Sequence, residues 1–462
     1  MTTEYIPIII VCFNNGKYVK QMVEKIIKTN PEYQKDIIIM NNSSDDKYTL
    51  NYLNICNVKV INRPNVGPWI CAWKNQDIYD VLPDKFIVSD ADLELNKDLP
   101  SNFVKILSDL SEKYKKGKVG FAISIDDKEL MFQEIFIKET NSKIYEHEET
   151  FWKNKITEEK EYEIYNAAID TTFTLINKKY YVLNCIRVAG NMTCRHLPYY
   201  VNDGIMTYYD SYEYYKKSKF STTSRIYLPY FKQNFVEVTK NNTSLLIKNN
   251  PEDKNFNFWT TIYSNWEKET FEVFDKCLNP YKVCIDLGAW VGTTSIYMSR
   301  YSKHVYAVEA DPQALISLKE NIKMNSDNIT VIDKPIYCDD NVPIKFGTNS
   351  FLKNSSLNDS TSQIKINDNN NGDFSLNTIT IDTIITKYNI NYNDISLIKV
   401  DIEGGEEHIL HNLFELHRLY GIKLYISFHL SWWSDKNIRR FKYLAEVNCR
   451  LIEENPFVSI LF

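Results

Sequence analysis

Short, unbroken runs of β-branched residues, each followed by a polar turn and then by helical spacing, constrain this chain more than any other feature. Ile8 to Val11 is such a run; Phe13-Asn14-Asn15-Gly16 breaks it, and Tyr18 to Lys28 places Val19, Met22, Val23, Ile26 and Ile27 on one helical stripe. The pattern returns at Asp36 to Met40 with its Asn41-Asn42-Ser43-Ser44 turn, at Val58 to Ile61 and at Phe86 to Ser89. Buried strands alternating with helices build a parallel sheet, so the first half reads as α/β. A second α/β series starts at Val283-Cys284-Ile285-Asp286-Leu287-Gly288. Between the two, Tyr208 to Phe231 is rich in Tyr and Lys with weak periodicity, and a new strand-like run begins at Asn234. The expected boundary is near residue 233, giving domains 1–233 and 234–462. In the second half a helix is expected around Trp266 to Lys276, and Thr361 to Phe374, with Asn367 to Asp373 polar or Gly, is expected to be an exposed loop.

Length agrees with two domains: 462 residues exceed what one ordinary domain uses, at a prior of about 150 residues per domain. Hydrophobic residues at 44% and charged residues at 25% are globular values, which excludes a disordered or collagen-like chain. A net charge of −6, from 54 Lys plus Arg against 60 Asp plus Glu, is of the wrong sign for a protein that neutralises phosphate backbones, so nucleic acid is not an expected partner. The apolar stretch Ile6 to Phe13 is too short to span a bilayer, and Glu4 with no basic flank argues against a signal peptide. Nine cysteines without a Cys-x-x-Cys pair suggest neither a disulfide framework nor a thiolate zinc site. A soluble, cytoplasmic protein in a reducing compartment is the expectation.

In the first half, Ser89-Asp90-Ala91-Asp92 follows the strand Phe86-Ile87-Val88, which puts two carboxylates at the carboxyl end of a strand, where α/β sheets bind ligands. Acids at i and i+2 can face one hard cation whose other positions take diphosphate oxygens. With the first strand and the Asn41-Asn42-Ser43-Ser44 turn, this order resembles the GT-A glycosyltransferases, especially the family 2 type, over roughly residues 5 to 205. Two further stretches, Ala168-Ile169-Asp170-Thr171-Thr172-Phe173 and Arg195-His196-Leu197-Pro198-Tyr199-Tyr200, resemble motifs of a subset of these enzymes. The family's turn usually reads Asp-Asn-Gly-Ser; here Asn41 stands in the acidic position and Ser43 in that of glycine. The resemblance implies a divalent metal, Mn2+ or Mg2+, on Asp90, Asp92 and His196. It also implies nucleotide-sugar contacts from Asn41, Arg63, Asn65, Asp90 and Asp92, a glycan acceptor and an inverting reaction. Asp170 offers a carboxylate that could take a proton from an acceptor hydroxyl.

In the second half, Asp286-Leu287-Gly288-Ala289-Trp290-Val291-Gly292 joins the strand Val283 to Ile285 to the helical run Thr293 to Arg300. The next strand, His304 to Val308, ends in Glu309-Ala310-Asp311-Pro312, an acid about 20 residues on and placed for ribose hydroxyls. Spacing alone would fit a dinucleotide fold and a nicotinamide-dependent enzyme. The turn lacks Gly-x-Gly-x-x-Gly, however, and the strand Leu397 to Val400 ends in Asp401-Ile402-Glu403-Gly404-Gly405-Glu406. Together these motifs resemble the FkbM family of S-adenosylmethionine-dependent methyltransferases, over roughly residues 235 to 435, with Trp290 in place of the usual Asn. The resemblance implies a Rossmann-like class I methyltransferase fold, O-methylation, and S-adenosyl-L-methionine held by Asp286, Gly288, Gly292, Glu309 and Asp311. Asp401 and His429, at the ends of consecutive strands, are the candidate catalytic residues, and Leu430-Ser431-Trp432-Trp433 the candidate aromatic wall for a sugar ring. The combined expectation is a bifunctional glycan-modifying enzyme. The alternative is a methyltransferase whose degenerate glycosyltransferase-like half only holds the glycan, a reading kept open by Asn41.

Overall fold

The structure, a computed structural model, describes residues 5–67, 76–138, 140–158, 162–218, 222–249, 256–347, 362–365, 374–430, 433–448 and 459–461. The chain divides into two compact units, one comprising Met1–Met206 and Asp210–Lys232, the other Thr207–Tyr209 and Gln233–Phe462.

The first unit is built on a ten-stranded mixed sheet. Lys59–Asn62, Ile37–Asn41, Ile8–Cys12 and Lys85–Asp90 lie side by side and parallel. Thr174–Asn177, Lys118–Ile123, Cys185–His196, Glu163–Tyr165 and Lys155–Glu158 continue the sheet, and Leu93–Leu95 pairs with the end of Cys185–His196. Ile8–Cys12 has its sequence successors on both sides, so chain order reverses there and a crevice opens at the carboxyl ends of its neighbours. The helix Gly16–Thr29 buries the expected stripe, Val19, Met22, Val23 and Ile26, and Phe103, Phe121 and Phe173 fill the core with ring centroids 4.8–6.2 Å apart.

The Tyr-rich stretch with weak periodicity is helical, over Tyr208–Lys217 and Thr222–Asn234. Tyrosine occupies positions that an aliphatic residue would mark in a hydropathy pattern: Tyr212, Tyr215, Tyr227 and Phe231 are buried, and the Tyr215 and Tyr227 rings stack at 5.6 Å.

The second unit carries a six-stranded sheet in the order Ile329–Ile332, His304–Val308, Val283–Leu287, Ile395–Val400, Lys423–Ser427, Ser459–Leu461, parallel except for the last strand. Its order reverses at Val283–Leu287, which places a crevice above the ends of that strand and of Ile395–Val400. A hairpin, Phe235–Lys240 with Thr243–Lys248, precedes the sheet, and the helix predicted around Trp266 spans Lys268–Cys277. Part of the stretch expected to be a loop is a strand: Gln363–Lys365 pairs with Pro343–Gly347, setting Ile364 opposite Phe346. The polar centre, Asn367 to Asp373, lies outside the described residues. No helix among the described residues is long and apolar enough to cross a membrane.

Each unit has its own buried cluster, one around Ile8, Ile87 and Phe121, the other around Ile285, Ile398 and Ile426. Chains cut between Lys232 and Gln233 are therefore expected to yield two soluble fragments, each unfolding cooperatively in urea. Aggregation of both, with recovery only in the intact chain, would count against two self-sufficient cores.

Candidate functional site

Each crevice has several of the residues singled out above around it. In the first unit the Asn41–Ser44 turn is sewn to the Arg63–Gly67 loop: the Arg63 N–H donates to the Asn41 carbonyl at 2.9 Å, the Ser43 hydroxyl to the Arg63 carbonyl at 2.8 Å, and the Asn42 amide to the Gly67 carbonyl at 3.2 Å. Asn65 accepts the Gly67 N–H at 3.1 Å and so shapes the same loop. The Asn41 amide donates to Asn62 at 2.8 Å and its carbonyl oxygen accepts the Ser44 N–H at 3.1 Å, so this side chain holds the turn. The structure thus brings Asn41, Arg63 and Asn65 together. Asn14, with φ +51°, joins them: its side chain accepts from Asp45 and Asp46 N–H and donates to the Asp45 carboxylate at 2.7 Å.

Asp90 and Asp92 end the adjoining strand but face different partners. The Thr171 hydroxyl donates to the Asp90 carboxylate and the Asp90 N–H donates to the Thr171 carbonyl. Burial, with the charge of Asp92, pushes Asp90 up to about 7 against that hydrogen bond. Asp92 lies 3.5 Å from His196 Nε2. Burial opposes charge on His196, but Asp92 outweighs it and raises the imidazole above its ordinary value. Asp92 Oδ1, the oxygen that faces His196 Nε2, is buried without a hydrogen bond among the described residues, so a cation taking the place of a proton between the carboxylate and the imidazole fits this pair. Asp90, Asp92 and His196 do not converge as closely as a finished three-ligand set among the described residues. Asp170 is exposed on the segment that carries Thr171, near enough to raise Asp90.

In the second unit a cavity of about 620 Å³ opens above the sheet's switch point. Gly288 has φ +81°, and a Cβ there would stand 1.8 Å from the Asp401 carbonyl oxygen, so the two strand ends touch backbone to backbone only because this residue is glycine. Glu309 lines the cavity and accepts three N–H groups, from Trp290 at 2.7 Å, Ala310 at 2.8 Å and Asp311 at 2.7 Å; burial raises its carboxyl above the ordinary range. Asp311 caps the helix Pro312–Asn325 through Gln313 and Ala314 and accepts the Ser362 hydroxyl.

Asp286 and Gly292 are not among the lining residues, which differs from the direct donor contact expected of them. The Asp286 carboxylate is fully buried and engaged within the protein: it accepts Thr294 at 2.8 Å and Ser295 at 2.6 Å and pairs with Lys399 at 3.2 Å, and Thr294 and Lys399 themselves line the cavity. Gly292, at φ +92°, starts the helix Thr293–Ser299 against Leu318. Sequence reasoning missed Lys399, although a lysine inside the apolar run Leu397-Ile398-Lys399-Val400 is a signal, because a buried charge requires a partner. Its ammonium donates to the Gly288 carbonyl at 2.8 Å and lies 3.8 Å from Asp401. Burial opposes its charge, yet Asp286 and Asp401 raise it above the usual lysine range.

Asp401 and His429 do converge, together with Glu403, their ligand atoms lying within 4.8 Å of one another. His429 Nε2 is 3.8 Å from Asp401 and 3.6 Å from Glu403, while Nδ1 is 3.1 Å from fully buried Glu406. Burial disfavours charge on the ring, but the hydrogen bond to Glu406 and the charges of Glu406, Glu403 and Asp401 win, raising His429 to about 9. Burial raises Glu403 to about 8 against the pull of His429. The indole of Trp433 donates to Glu406 at 3.2 Å, so this tryptophan steadies the acid; Ser431 and Trp432, the centre of the expected aromatic wall, lie outside the described residues. An aromatic wall of the cavity instead comes from Phe258, Tyr263, Trp266, Phe271 and Trp290.

Residues 8–160 match the family model of Glycosyl transferase family 2, and residues 286–447 that of the Methyltransferase FkbM domain. No curated protein matches the chain. Similar solved structures include an rRNA methylase from Streptococcus thermophilus, at 11% identity and a TM-score of 0.26, covering 42% of this chain and 92% of that one. M. jannaschii TYW2 in complex with AdoMet is 16% identical with a TM-score of 0.25, covering 49% of this chain and 83% of that one. The precorrin-6y C5,15-methyltransferase of Geobacter metallireducens is 13% identical with a TM-score of 0.23, covering 42% and 85%. The chain is a fusion of a family 2 glycosyltransferase domain, matched over residues 8–160, and an FkbM methyltransferase domain, matched over residues 286–447.

Proposed function

We propose that the protein is a bifunctional glycan-modifying enzyme that transfers a sugar from a nucleotide-sugar donor to a glycan acceptor and methylates a sugar hydroxyl with S-adenosyl-L-methionine. The observation that carries the proposal is that each sheet's switch point is furnished with carboxylates, Asp90 and Asp92 in one unit, Asp401 and Glu403 in the other.

At the sugar-transfer site, Asp92 and His196, with Asp90, would hold the divalent ion, and the Asn41–Ser44 turn and Arg63–Gly67 loop would hold the nucleotide. The ion, when bound, supplies positive charge to the leaving diphosphate. Asp170 takes the proton of the attacking acceptor hydroxyl, on the face that gives inversion. The engagement of Asn41 within its own turn supports the second reading, a half that only holds glycan.

At the methyl-transfer site, Glu309 accepts the ribose hydroxyls of the donor and Asp311 fixes the turn beside it. Asp286 acts indirectly: it holds Lys399, which in turn grips the Gly288 carbonyl. Because His429 is kept protonated through neutral pH, we assign the proton acceptor to Asp401 and give His429 the task of holding Asp401 and Glu403 in place. The wall formed by Trp290, Trp266 and Tyr263 offers rings to an acceptor sugar.

Asp92→Ala is expected to abolish metal-dependent transfer or donor hydrolysis while leaving methyl-donor affinity unchanged; full wild-type activity in excess chelator would remove the ion from the scheme. Glu309→Ala should weaken methyl-donor binding by roughly 1.5–3 kcal/mol, the range for a hydrogen bond to a charged group, read by calorimetry. Asp401→Asn should lower methyl transfer by about 10²–10⁴ with donor affinity nearly constant, and His429→Asn by less. An equal loss of donor affinity in both variants would show a structural role instead.

The pH dependence has a definite sign. His429 and Glu403 both bind protons more tightly in the folded unit than the ordinary values of 6.5 and 4.5, so stability is full below those values. It is lost as pH rises toward about 8 for Glu403 and about 9 for His429. Urea unfolding of wild type between pH 5 and 9 should therefore show a decline that His429→Asn flattens at the alkaline end, each tenfold of proton affinity lost with the imidazole being worth about 1.4 kcal/mol.

A further inference from the structure

We propose that Arg187 is a positioning residue for the sugar-transfer site, one buried guanidinium setting both the arm that holds Asp90 and the arm that presents His196 to Asp92. The proposal rests on the reading of that site as one of metal-assisted sugar transfer.

Arg187 sits between Ile186 and Val188 in the strand Cys185–His196 and is only 5% exposed. A charge there must find partners within the fold, and it finds three. Its Nη1 lies 3.0 Å from Glu148 on the helix Ile144–Glu149, a carboxylate as buried as itself. Its Nε donates to the Ala168 carbonyl at 2.7 Å, and the Phe151 ring lies 3.8 Å from the guanidinium carbon.

Two chains of contact leave this hub. From Ala168 the backbone reaches Thr171, whose hydroxyl donates to Asp90 and whose carbonyl accepts the Asp90 N–H at 3.0 Å. From Glu148, the second carboxylate oxygen accepts the Tyr199 hydroxyl at 3.3 Å; the Tyr199 ring meets His196 edge-on at 4.2 Å, and His196 Nε2 lies 3.5 Å from Asp92. The forked guanidinium can satisfy Glu148 and Ala168 at once from fixed directions, which a lysine ammonium cannot reproduce. Groups that orient ligands from behind typically carry 10–100-fold in metal affinity.

A purely structural ion pair makes a different forecast. Replacing both members of a buried pair by apolar side chains leaves no orphaned charge and is often neutral for stability. The test uses the full chain with the double variant Glu148→Met/Arg187→Met, and with Arg187→Lys and Tyr199→Phe. Mn2+ affinity is read by electron paramagnetic resonance, the melting midpoint by calorimetry, and the His196 ring resonances in metal-free protein by NMR, assigned with His196→Gln. Expected are a melting midpoint near wild type for the double variant, Mn2+ affinity lower by about 10–100-fold, and displaced His196 resonances. Arg187→Lys and Tyr199→Phe should shift the same resonances by less. A folded double variant with wild-type Mn2+ affinity and unmoved resonances would overturn the proposal. Should the double variant fail to fold, unmoved His196 resonances in both single variants would overturn it equally. Absence of Mn2+ binding by wild type would refute the metal-assisted reading of the site, and the His196 resonances would still decide the role of Arg187.

Discussion

A lysine ammonium buried in the middle of a parallel sheet is the constraint around which the methyltransferase unit is arranged. Lys399 is 4% exposed, and taking its charge out of water costs several kcal/mol unless the fold supplies compensation. Compensation comes from the neighbouring strand and its turn, through the Asp286 carboxylate and the Gly288 carbonyl, and at longer range from Asp401 at the end of the lysine's own strand. The same contact that neutralises the lysine therefore fixes the turn that follows Val283–Leu287 against the end of Ile395–Val400. The glycine at 288 is then obligatory, since the Asp401 carbonyl occupies the space a side chain would need.

The glycosyltransferase unit meets a similar constraint with a guanidinium. Arg187 is likewise set in an otherwise apolar run, and its partners lie on elements that flank the Asp90 and His196 arms. In both units a buried charge is tied to segments that carry the crevice's carboxylates. Preorganisation of this kind places the solvation penalty in folding, so that it is not met again when ligand binds.

Much of this architecture was legible in the sequence, because strand runs, turn residues and helical stripes are local. Ile8 to Val11 and Val283 to Ile285 are strands, and the stripe from Val19 to Ile26 is buried as its spacing required. What escaped was non-local or chemically disguised. The helices of Tyr208–Lys217 and Thr222–Asn234 hide their buried face behind phenol rings. Gln363–Lys365 becomes a strand only because Pro343–Gly347 is there to pair with it. The partners of Lys399 and Arg187 lie 111 and 39 positions away, and the protonation of His429 depends on Glu406, 23 positions before it. A sequence displays such charges as anomalies in an apolar run but does not name what answers them.

At Gly288 the methyltransferase cavity is bounded by a backbone-to-backbone contact with Asp401, whereas its aromatic lining is made of side chains, Phe258, Tyr263, Trp266 and Phe271 among them. The two parts are therefore open to genetic drift at very different rates. A substitution at Gly288 collides with main chain, while one in the aromatic lining changes the outline of the space. On the proposed function, a lineage could alter the outline offered to an acceptor by exchanging rings while the Gly288–Asp401 contact is inherited unchanged.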